Sequence, residues 1–350
     1  MTGRFTRLLA AGPGITVVAL LLALLLWGGI AVFAGLPFFG ALVALVEGGV
    51  GSGFAIEQTL HFATPLLFTG LCVALPLRAG MVIIGGEGSL VLGGLAAAAA
   101  AVAVPESWSL VALLVAGAAA GALWIALSAA GRVWYGVNEA ISSLLLVYVA
   151  IAILNHLIEG PLRDPSSLDK PASALIPPPA RIAALPGFPS LHWGLPAGIL
   201  LCLVCHLLVT RSVPGLSLRY TGSNRRAANY AGLSTATIML VAAAAAGAAA
   251  GLAGALEVAT VFGRANASLA AGYGFTGILV CALARGNMLA LLPAALLVGA
   301  IEAGGGLLQR RYGAPAASAA MMHGLIFLML IVGEGVRCRM PLFLASGNRS

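Results

Sequence analysis

The sequence predicts an all-α fold, a polytopic bundle of transmembrane helices. Of its 350 residues, 61% are hydrophobic and only 8% are charged, whereas soluble domains carry roughly 25% charged residues. Apolar runs of about 20 residues, the length that a helix needs to cross a bilayer, recur along the whole chain. Spans of this length form helices rather than barrel strands, so we predict an integral membrane protein.

Ten spans are predicted, and together they form a single transmembrane domain over residues 1–350. The first is longer than the apolar core of a signal peptide, about 7–15 residues, and is predicted to be a retained helix. The eighth is short for a full crossing and is expected to be a broken or tilted half-helix. In order, the spans are 15–35, 58–77, 83–104, 108–129, 137–156, 192–210, 235–257, 273–285, 287–304 and 316–333.

The basic residues predict that both ends of the chain face the cytoplasm, because positive residues concentrate on that side. The twelve on the inner side are Arg4, Arg7, Arg78, Arg132, Arg211, Arg219, Arg225, Arg226, Arg285, Arg337, Arg339 and Arg349. The six on the outer side are Arg163, Lys170, Arg181, Arg264, Arg310 and Arg311. The adjacent Arg310 and Arg311 oppose the rule. The net charge of +7 is therefore attributed to topology and not to nucleic-acid binding.

Two polar loops interrupt the spans. Residues 157–190 form a predicted external loop whose prolines forbid a regular helix; it either meets an external partner or only connects two spans. Residues 211–234 form a predicted cytoplasmic loop, which includes GLSLRYTGSNRRAANYAGLS. In this second loop Ser223 is the expected N-cap of a short helix that Gly232 ends.

The short cytoplasmic helix is predicted to be amphipathic. At 100° per residue one face carries Arg225, Arg226 and Asn229. The opposite face carries Ala227, Tyr230 and Ala231. The helix either anchors the loop to anionic lipid or docks a cytoplasmic protein; the small residues of the apolar face favour docking.

Carboxylates inside predicted spans are costly, and such groups are often functional. Around Glu87 the chain reads RAGMVIIGGEGSLVLGG, in which several glycines are expected to break the helix at membrane depth. These glycines either open a solute path or allow close helix packing. The candidate path residues here are Gly85, Gly86, Glu87, Gly88 and Ser89.

Two further stretches are candidates for the path. Near Glu139 a polar stripe on an apolar helix carries Asn138, Ser142 and Tyr148. The stretch GYGFTG, residues 272–277, contains Tyr273 and Phe275 and resembles a nucleotide-binding glycine motif only in its letters. No strand precedes it and no acidic residue follows at the required distance, so we predict a helix start or a solute path.

The sequence contains no pattern for chemistry of its own. It has no phosphate-binding loop, and its single lysine is Lys170. The five scattered cysteines indicate neither a disulfide framework nor a metal site. We therefore expect no catalytic residue, no metal and no cofactor on this chain.

Four stretches resemble the permease subunits of bacterial ABC importers of the branched-chain amino acid and ribose superfamily. The similarity is greatest to the nucleoside and simple-sugar branch that is associated with basic membrane lipoproteins. It covers residues 80–305, and GVNE followed by GPLRDP is its most specific signal. The stretches are GMVIIGGEGSLVLGGLAAA, GVNEAISSLLLVYVAIAILNHLIEGPLRDP, GLSLRYTGSNRRAANYAGLS with AGAAAGLAGALEV, and GYGFTGILVCALARGNMLALLPAALLVGAIEAGG.

The resemblance implies a subunit of the bacterial cytoplasmic (inner) membrane that moves solute without chemistry of its own. It implies a second permease, identical or similar, two ATP-binding subunits that hold ATP and Mg²⁺, an external substrate-binding lipoprotein and surrounding lipid. The cytoplasmic loop would then be the coupling helix, with the ATPase contact at Ser223, Asn224, Arg225, Arg226, Ala227, Ala228, Tyr230, Ala231 and Gly232.

Several positions depart from the family pattern. Arg225-Arg226 replaces a usual Pro-Glu, and Ile83, Ser89 and Val147 replace polar residues. Because a desolvated nucleoside or sugar needs hydrogen-bonding partners, these losses leave the solute open. A stand-alone carrier coupled to protons or ions, with Glu87 or Glu139 as the proton site, is the alternative.

Overall fold

The computed structural model of the chain describes residues 12–167 and 170–346. Its α-helices are α1 (Gly12–Phe33), α2 (Phe38–Val50), α3 (Gly53–Arg78), α4 (Gly86–Ala103), α5 (Ser109–Tyr135), α6 (Glu139–Glu159), α7 (Gly194–Arg211), α8 (Val213–Ser223), α9 (Arg225–Tyr230), α10 (Thr235–Glu257), α11 (Tyr273–Leu283), α12 (Leu291–Tyr312) and α13 (Ser318–Ser346). Strands β1 (Ala184–Leu185) and β2 (Phe188–His192) form an antiparallel hairpin. Short 3-10 turns cover Glu106–Trp108, Pro178–Ala180 and Ala267–Leu269, and a π-helical turn, Val258–Phe262, extends α10.

The predicted class, an all-α polytopic membrane bundle, is confirmed. Among the helices that the structure describes, nine are long and apolar enough to cross a membrane. They match every predicted span except 273–285, which forms the 11-residue helix α11, so the expected short eighth helix is also confirmed. Arg4, Arg7 and Arg349, which entered the predicted orientation, lie outside the described residues.

Helix α2 was not predicted. Residues 36–57 were assigned to a connection, but 13 of them form an apolar helix. Its length is below the roughly 20 residues that identify a span from hydropathy, and its glycines lower the local hydropathy further. A search for full-length spans therefore misses it.

The chain divides into two compact units, residues 1–59 with 297–350 and residues 60–296. The division says nothing about the predicted single transmembrane domain, which stays a prediction. In the first unit α2 lies close to α12, since a Cβ at Gly48 would lie 2.7 Å from Cα of Gly304. Arg311 donates a hydrogen bond of 2.5 Å to the Glu47 carboxylate. One of the two arginines that oppose the positive-inside rule is thus paired.

The second unit has α4, α5 and α10 at its centre. These helices approach closely through glycines: a Cβ at Gly121 would lie 2.7 Å from Cα of Gly251, and one at Gly117 would lie 3.2 Å from the carbonyl oxygen of Gly93. Small residues serve helix packing in lipid because van der Waals contact must replace the hydrophobic effect there. This packing brings α4, α5 and α10 into direct backbone contact.

The predicted external loop packs onto one end of the second unit. In its described residues, 157–167 and 170–190, no α-helix follows the end of α6, as the prolines predict. The amide of Ser173 donates to the carbonyl of Ala265, and that of Ile176 donates to Gly263, both at 2.9 Å. Ile176 is buried in the core of this unit. The loop is therefore packed against the helices of this unit, and an external partner for it stays a prediction.

Candidate functional site

The predicted break in the membrane segment around Glu87 is present. Helix α3 ends at Arg78, residues 81–84 belong to neither a helix nor a strand, and α4 starts at Gly86. Gly80 makes the turn with φ +73°, a backbone conformation that glycine adopts without a steric cost. A non-helical stretch inside a membrane protein needs partners for its backbone amides, because lipid supplies none.

Side chains at the start of α6 supply those partners. The amide of Val82 donates to Glu139 Oε1 at 3.0 Å, and the amide of Ile84 donates to Ser143 Oγ at 3.1 Å. Glu139 is buried and also accepts a hydrogen bond from Arg132. Its carboxylate is thus occupied by a fixed amide and a fixed guanidinium, and it braces the break.

The carboxylate of Glu87 meets the first turn of α11. It accepts hydrogen bonds from the amides of Gly272 at 2.7 Å and Gly274 at 2.6 Å. Amides in the first turn of a helix have no partner within the helix, and the helix dipole favours a negative charge there. Glu87 is only 1% exposed, so these two amides are its immediate environment.

The helix start predicted for GYGFTG is therefore confirmed at Tyr273. A Cβ at Gly274 would overlap the backbone amide nitrogen of Glu87, so a glycine is required for the two backbones to meet. The first turns of α4 and α11 converge at this point. We call the residues Gly86, Glu87, Gly272 and Gly274 the Glu87 junction.

The other glycines of the predicted path are in close packing contacts. A Cβ at Gly85 would lie 2.7 Å from the carbonyl oxygen of Ser143, and one at Gly88 would lie 2.9 Å from Trp124 Nε1. The glycines were predicted either to open a solute path or to allow close helix packing. The contacts of Gly85 and Gly88 are those of close packing. Ser89 is fully buried, and its hydroxyl donates to the Gly121 carbonyl at 3.0 Å.

The three departures from polar family residues are buried in the second unit. Ile83 and Ser89 are 0% exposed and Val147 is 1% exposed. The apolar side chains of Ile83 and Val147 pack in the interior of this unit, and none of the three side chains is exposed in the chain alone.

The predicted polar stripe on α6 is divided. Asn138 is the N-cap and accepts from the Ala140 amide at 2.9 Å. Ser142 pairs with Ser128 at 2.6 Å. Tyr148 is 65% exposed and faces away from the unit, and Phe275 on α11 is 39% exposed. Tyr273 is partly buried beside the Glu87 junction.

The predicted cytoplasmic loop contains two helices, α8 and α9, of which only the second was predicted. The expected cap was wrong by one residue: Ser223 ends α8, and its hydroxyl donates to the Tyr220 carbonyl at 3.0 Å. Asn224 is the N-cap of α9 and accepts from the Ala227 amide at 3.1 Å. Gly232, with φ +81°, ends the helix as predicted.

The faces of α9 also differ from the prediction. Ala228, which neither predicted face includes, is the buried residue of this helix, at 4% exposure. Tyr230 is 94% exposed, and Ala227 and Ala231 are exposed beside it. The predicted apolar face, which carries Ala227, Tyr230 and Ala231, is therefore exposed in the chain alone. Arg225 and Arg226 are exposed as well.

The described part of the chain offers no group of three or more His, Cys, Asp or Glu residues suited to a metal. Four of its cysteines are buried free thiols: Cys72, Cys202, Cys205 and Cys281. The sequence indicated neither Arg132 as the partner of Glu139 nor the two glycine amides that bind Glu87. Only the spacing GRVWYGVNE, which ends one helix and begins the next, could have pointed to the first pair.

Two broken helices that meet inside a bundle of apolar helices are a feature of membrane transport proteins. Residues 55–332 match the family model described as the branched-chain amino acid transport system / permease component. The chain belongs to this family. It is a permease component, which is a transport subunit rather than an enzyme. The chain itself is a multi-pass membrane protein.

Three relatives are named as transporter subunits. The chain is 34% identical to the glucose ABC transporter permease protein TsgB13 of Haloferax volcanii, over 86% of this chain and 87% of the relative. It is 29% identical to the guanosine ABC transporter permease protein NupP of Bacillus subtilis, over 88% and 93%. It is 25% identical to the nucleoside ABC transporter permease protein NupB of Lactococcus lactis, over 73% of each.

Proposed function

We propose that this chain is the permease subunit of an ATP-driven importer in the cytoplasmic membrane, and that it carries a nucleoside or a related small polar solute by alternating access. The observation that carries the proposal is the exposed helix α9 in a chain whose relatives are named as ABC transporter permeases. A transport subunit without a nucleotide site needs an energy-supplying partner, and α9 offers that partner a surface.

The proposed partner surface combines charge with small side chains. Tyr230 and the two arginines at the start of α9 are exposed, so a groove that receives them needs an apolar slot and acidic neighbours. The candidate ATPase contact comprises Ser223, Asn224, Arg225, Arg226, Ala227, Ala228, Tyr230, Ala231 and Gly232. Of these, Ala228 is buried and packs α9 against the rest of the chain.

The remaining partners follow from the same proposal. ATP and Mg²⁺ bind to two ATPase subunits. A second permease, of the same or a similar sequence, completes the membrane part, and an external lipoprotein delivers the solute. The apolar outer faces, which carry exposed residues such as Leu123 and Leu200, contact lipid or the second permease.

The solute class rests on the solutes in the relatives' names. Glucose, guanosine and nucleosides all contain a sugar ring. A nucleoside is our first candidate and a simple sugar is the second, because the 34% identical relative is named for glucose. Sugar hydroxyls need hydrogen-bonding partners when they leave water.

The geometry argues against the proton-coupled alternative. Glu87 accepts from two backbone amides, and Glu139 accepts from an amide and from Arg132. A carrier that works by protonation needs a carboxylate that exchanges partners during the cycle. Both carboxylates instead accept from groups that only donate, and such groups offer no acceptor to a protonated carboxyl.

Uptake competition in vesicles that contain the whole assembly tests the solute. Labelled guanosine or glucose is supplied with excess unlabelled nucleosides, free bases, pentoses, hexoses or amino acids. The proposal predicts ATP-dependent uptake in which only solutes with a sugar ring compete. Competition by free bases or amino acids alone would contradict the solute class, and ATP-independent uptake would contradict the energy source.

A further inference from the structure

The half-helix α11 is held at both of its ends by one short stretch of chain. Glu87 accepts from the amides of Gly272 and Gly274 at its start. Arg78 donates from its guanidinium to the Gly286 carbonyl at 2.7 Å, just beyond its end. Arg78 and Glu87 are nine positions apart in sequence, and their side chains bind opposite ends of the same helix.

The lengths agree with this arrangement. Helix α11 has 11 residues, and at 1.5 Å per residue it is about 16 Å long. The chain between α3 and α4 is not helical, and the side chains of Arg78 and Glu87 reach the two ends of a helix of this length.

The charges agree as well. The negative side chain is at the N-terminus of α11, and the positive side chain is at its C-terminus. This arrangement complements the partial charges at the two ends of a helix. Residues 78–87 therefore form a clamp on α11, and we refer to them as the clamp segment.

The clamp segment also contacts the cytoplasmic loop directly. A Cβ at Gly222, in the last turn of α8, would overlap the carbonyl oxygen of Arg78 and lie 3.0 Å from the amide nitrogen of Gly80. A Cβ at Gly80 would lie 3.2 Å from the carbonyl oxygen of Gly222. Backbone touches backbone here, and α9 begins only three residues after Gly222.

We propose that the clamp segment and α11 move as one rigid piece, and that Gly222 is the contact through which the cytoplasmic loop displaces it. A push on α9 reaches Gly222 through the short turn between α8 and α9, then reaches Gly80, and then both ends of α11. Gly222 and Gly80 are thus positioning residues that link the energy-supplying partner to the Glu87 junction. This inference rests on the proposed function.

Two pairs of variants test the link, each with a matched control. Gly222→Ala adds a methyl group that collides with the backbone of Arg78, whereas Gly131→Ala adds one to a helical glycine whose nearest neighbour is 3.8 Å away. Gly80→Asn adds a side chain beside Gly222, whereas Gly136→Asn has nothing within 4 Å. Gly80 and Gly136 have φ values of +73° and +68°, so the two Asn variants carry the same backbone cost.

The measurements use the complete assembly in vesicles. They are ATP-driven uptake, basal ATP hydrolysis, and the stimulation of hydrolysis by the solute-loaded external lipoprotein. We expect Gly222→Ala to reduce uptake by about tenfold or more and to abolish the stimulation, as loss of a coupling free energy implies. Basal hydrolysis should persist, and Gly131→Ala should match the wild type. A purely structural role would lower all three quantities together.

The outcomes separate the inference from the proposed function. If the wild-type assembly shows no ATP-driven uptake, the proposed function is wrong. If it does and Gly222→Ala retains stimulated hydrolysis and uptake, the link through Gly222 is wrong. Should Gly222→Ala fail to assemble, the Asn pair decides: the inference requires a loss of stimulation in Gly80→Asn only, and equal behaviour of both variants would overturn it.

Discussion

Replacing Glu87 with Gln tests the Glu87 junction most sharply. Glutamine has nearly the shape of glutamate, but it has no charge and only one acceptor oxygen. That oxygen can serve Gly272 or Gly274, and the side-chain amide then faces the other glycine N–H, donor against donor. The substitution therefore removes one of two hydrogen bonds and the negative charge at the start of α11.

The magnitude follows from these two losses. A buried N–H without a partner costs about 1–3 kcal/mol. Loss of a favourable charge at a partly buried helix terminus costs up to about 2 kcal/mol. Together we expect the free energy of unfolding of the assembly to fall by about 1–5 kcal/mol. The first turn of α11 should lose order before the rest of the second unit.

Thermal unfolding of the purified assembly measures this loss, with amide hydrogen exchange as a local readout. Glu159→Gln is the control, because Glu159 ends α6 and is exposed. We expect a lower unfolding midpoint and faster exchange at residues 272–277 in Glu87→Gln only. Equal midpoints and equal exchange in the two variants would refute the assigned role of Glu87 as an anchor of α11.

Three further predictions concern other parts of the chain. Replacing Arg225 and Arg226 together with Glu should uncouple hydrolysis from uptake while membrane insertion is unchanged; normal uptake would exclude docking at α9. Arg132→Ala should leave the buried Glu139 without its cation and destabilise the protein by about 1–3 kcal/mol, because the Arg132 side chain is 35% exposed; an unchanged unfolding midpoint would contradict the brace. Burial lowers the pKa of His192 to about 4, so the unfolded chain binds a proton first, and stability should fall between about pH 6.5 and 4 by at most about 1.4 kcal/mol per pH unit. Unfolding midpoints of His192→Asn against pH should show a shallower fall, and an identical profile would contradict this contribution.

Local sequence was sufficient for the features that depend on local chemistry. Apolar runs located nine membrane helices, and the glycines around Glu87 located the break. Gly232 marked the end of α9, because a residue with positive φ follows many helices. The start of that helix was less certain, since Ser223 and Asn224 are both good N-caps. Only the path of α8 decides between the two neighbours.

The partners of the carboxylates could not be predicted. Glu87 accepts from amides 185 and 187 positions away. Every residue except proline has a backbone amide, so the sequence does not show which amides bind a carboxylate. A helical wheel groups the residues of α9 into faces, but it does not say which residue its neighbours cover. Ala228 is buried because of where α8 and α10 lie. The resemblance to a permease family suggested a coupling role for residues 211–234. The contacts of these residues are visible only in the structure.

The most direct test of the proposed energy source compares two proteoliposome preparations loaded with ATP. One contains this chain alone, and the other contains the chain with its ATPase subunits and the external lipoprotein. We predict concentrative uptake of labelled solute only in the second preparation, with no response to an imposed proton gradient. Accumulation by the chain alone, or uptake driven by protons without ATP, would contradict the proposal.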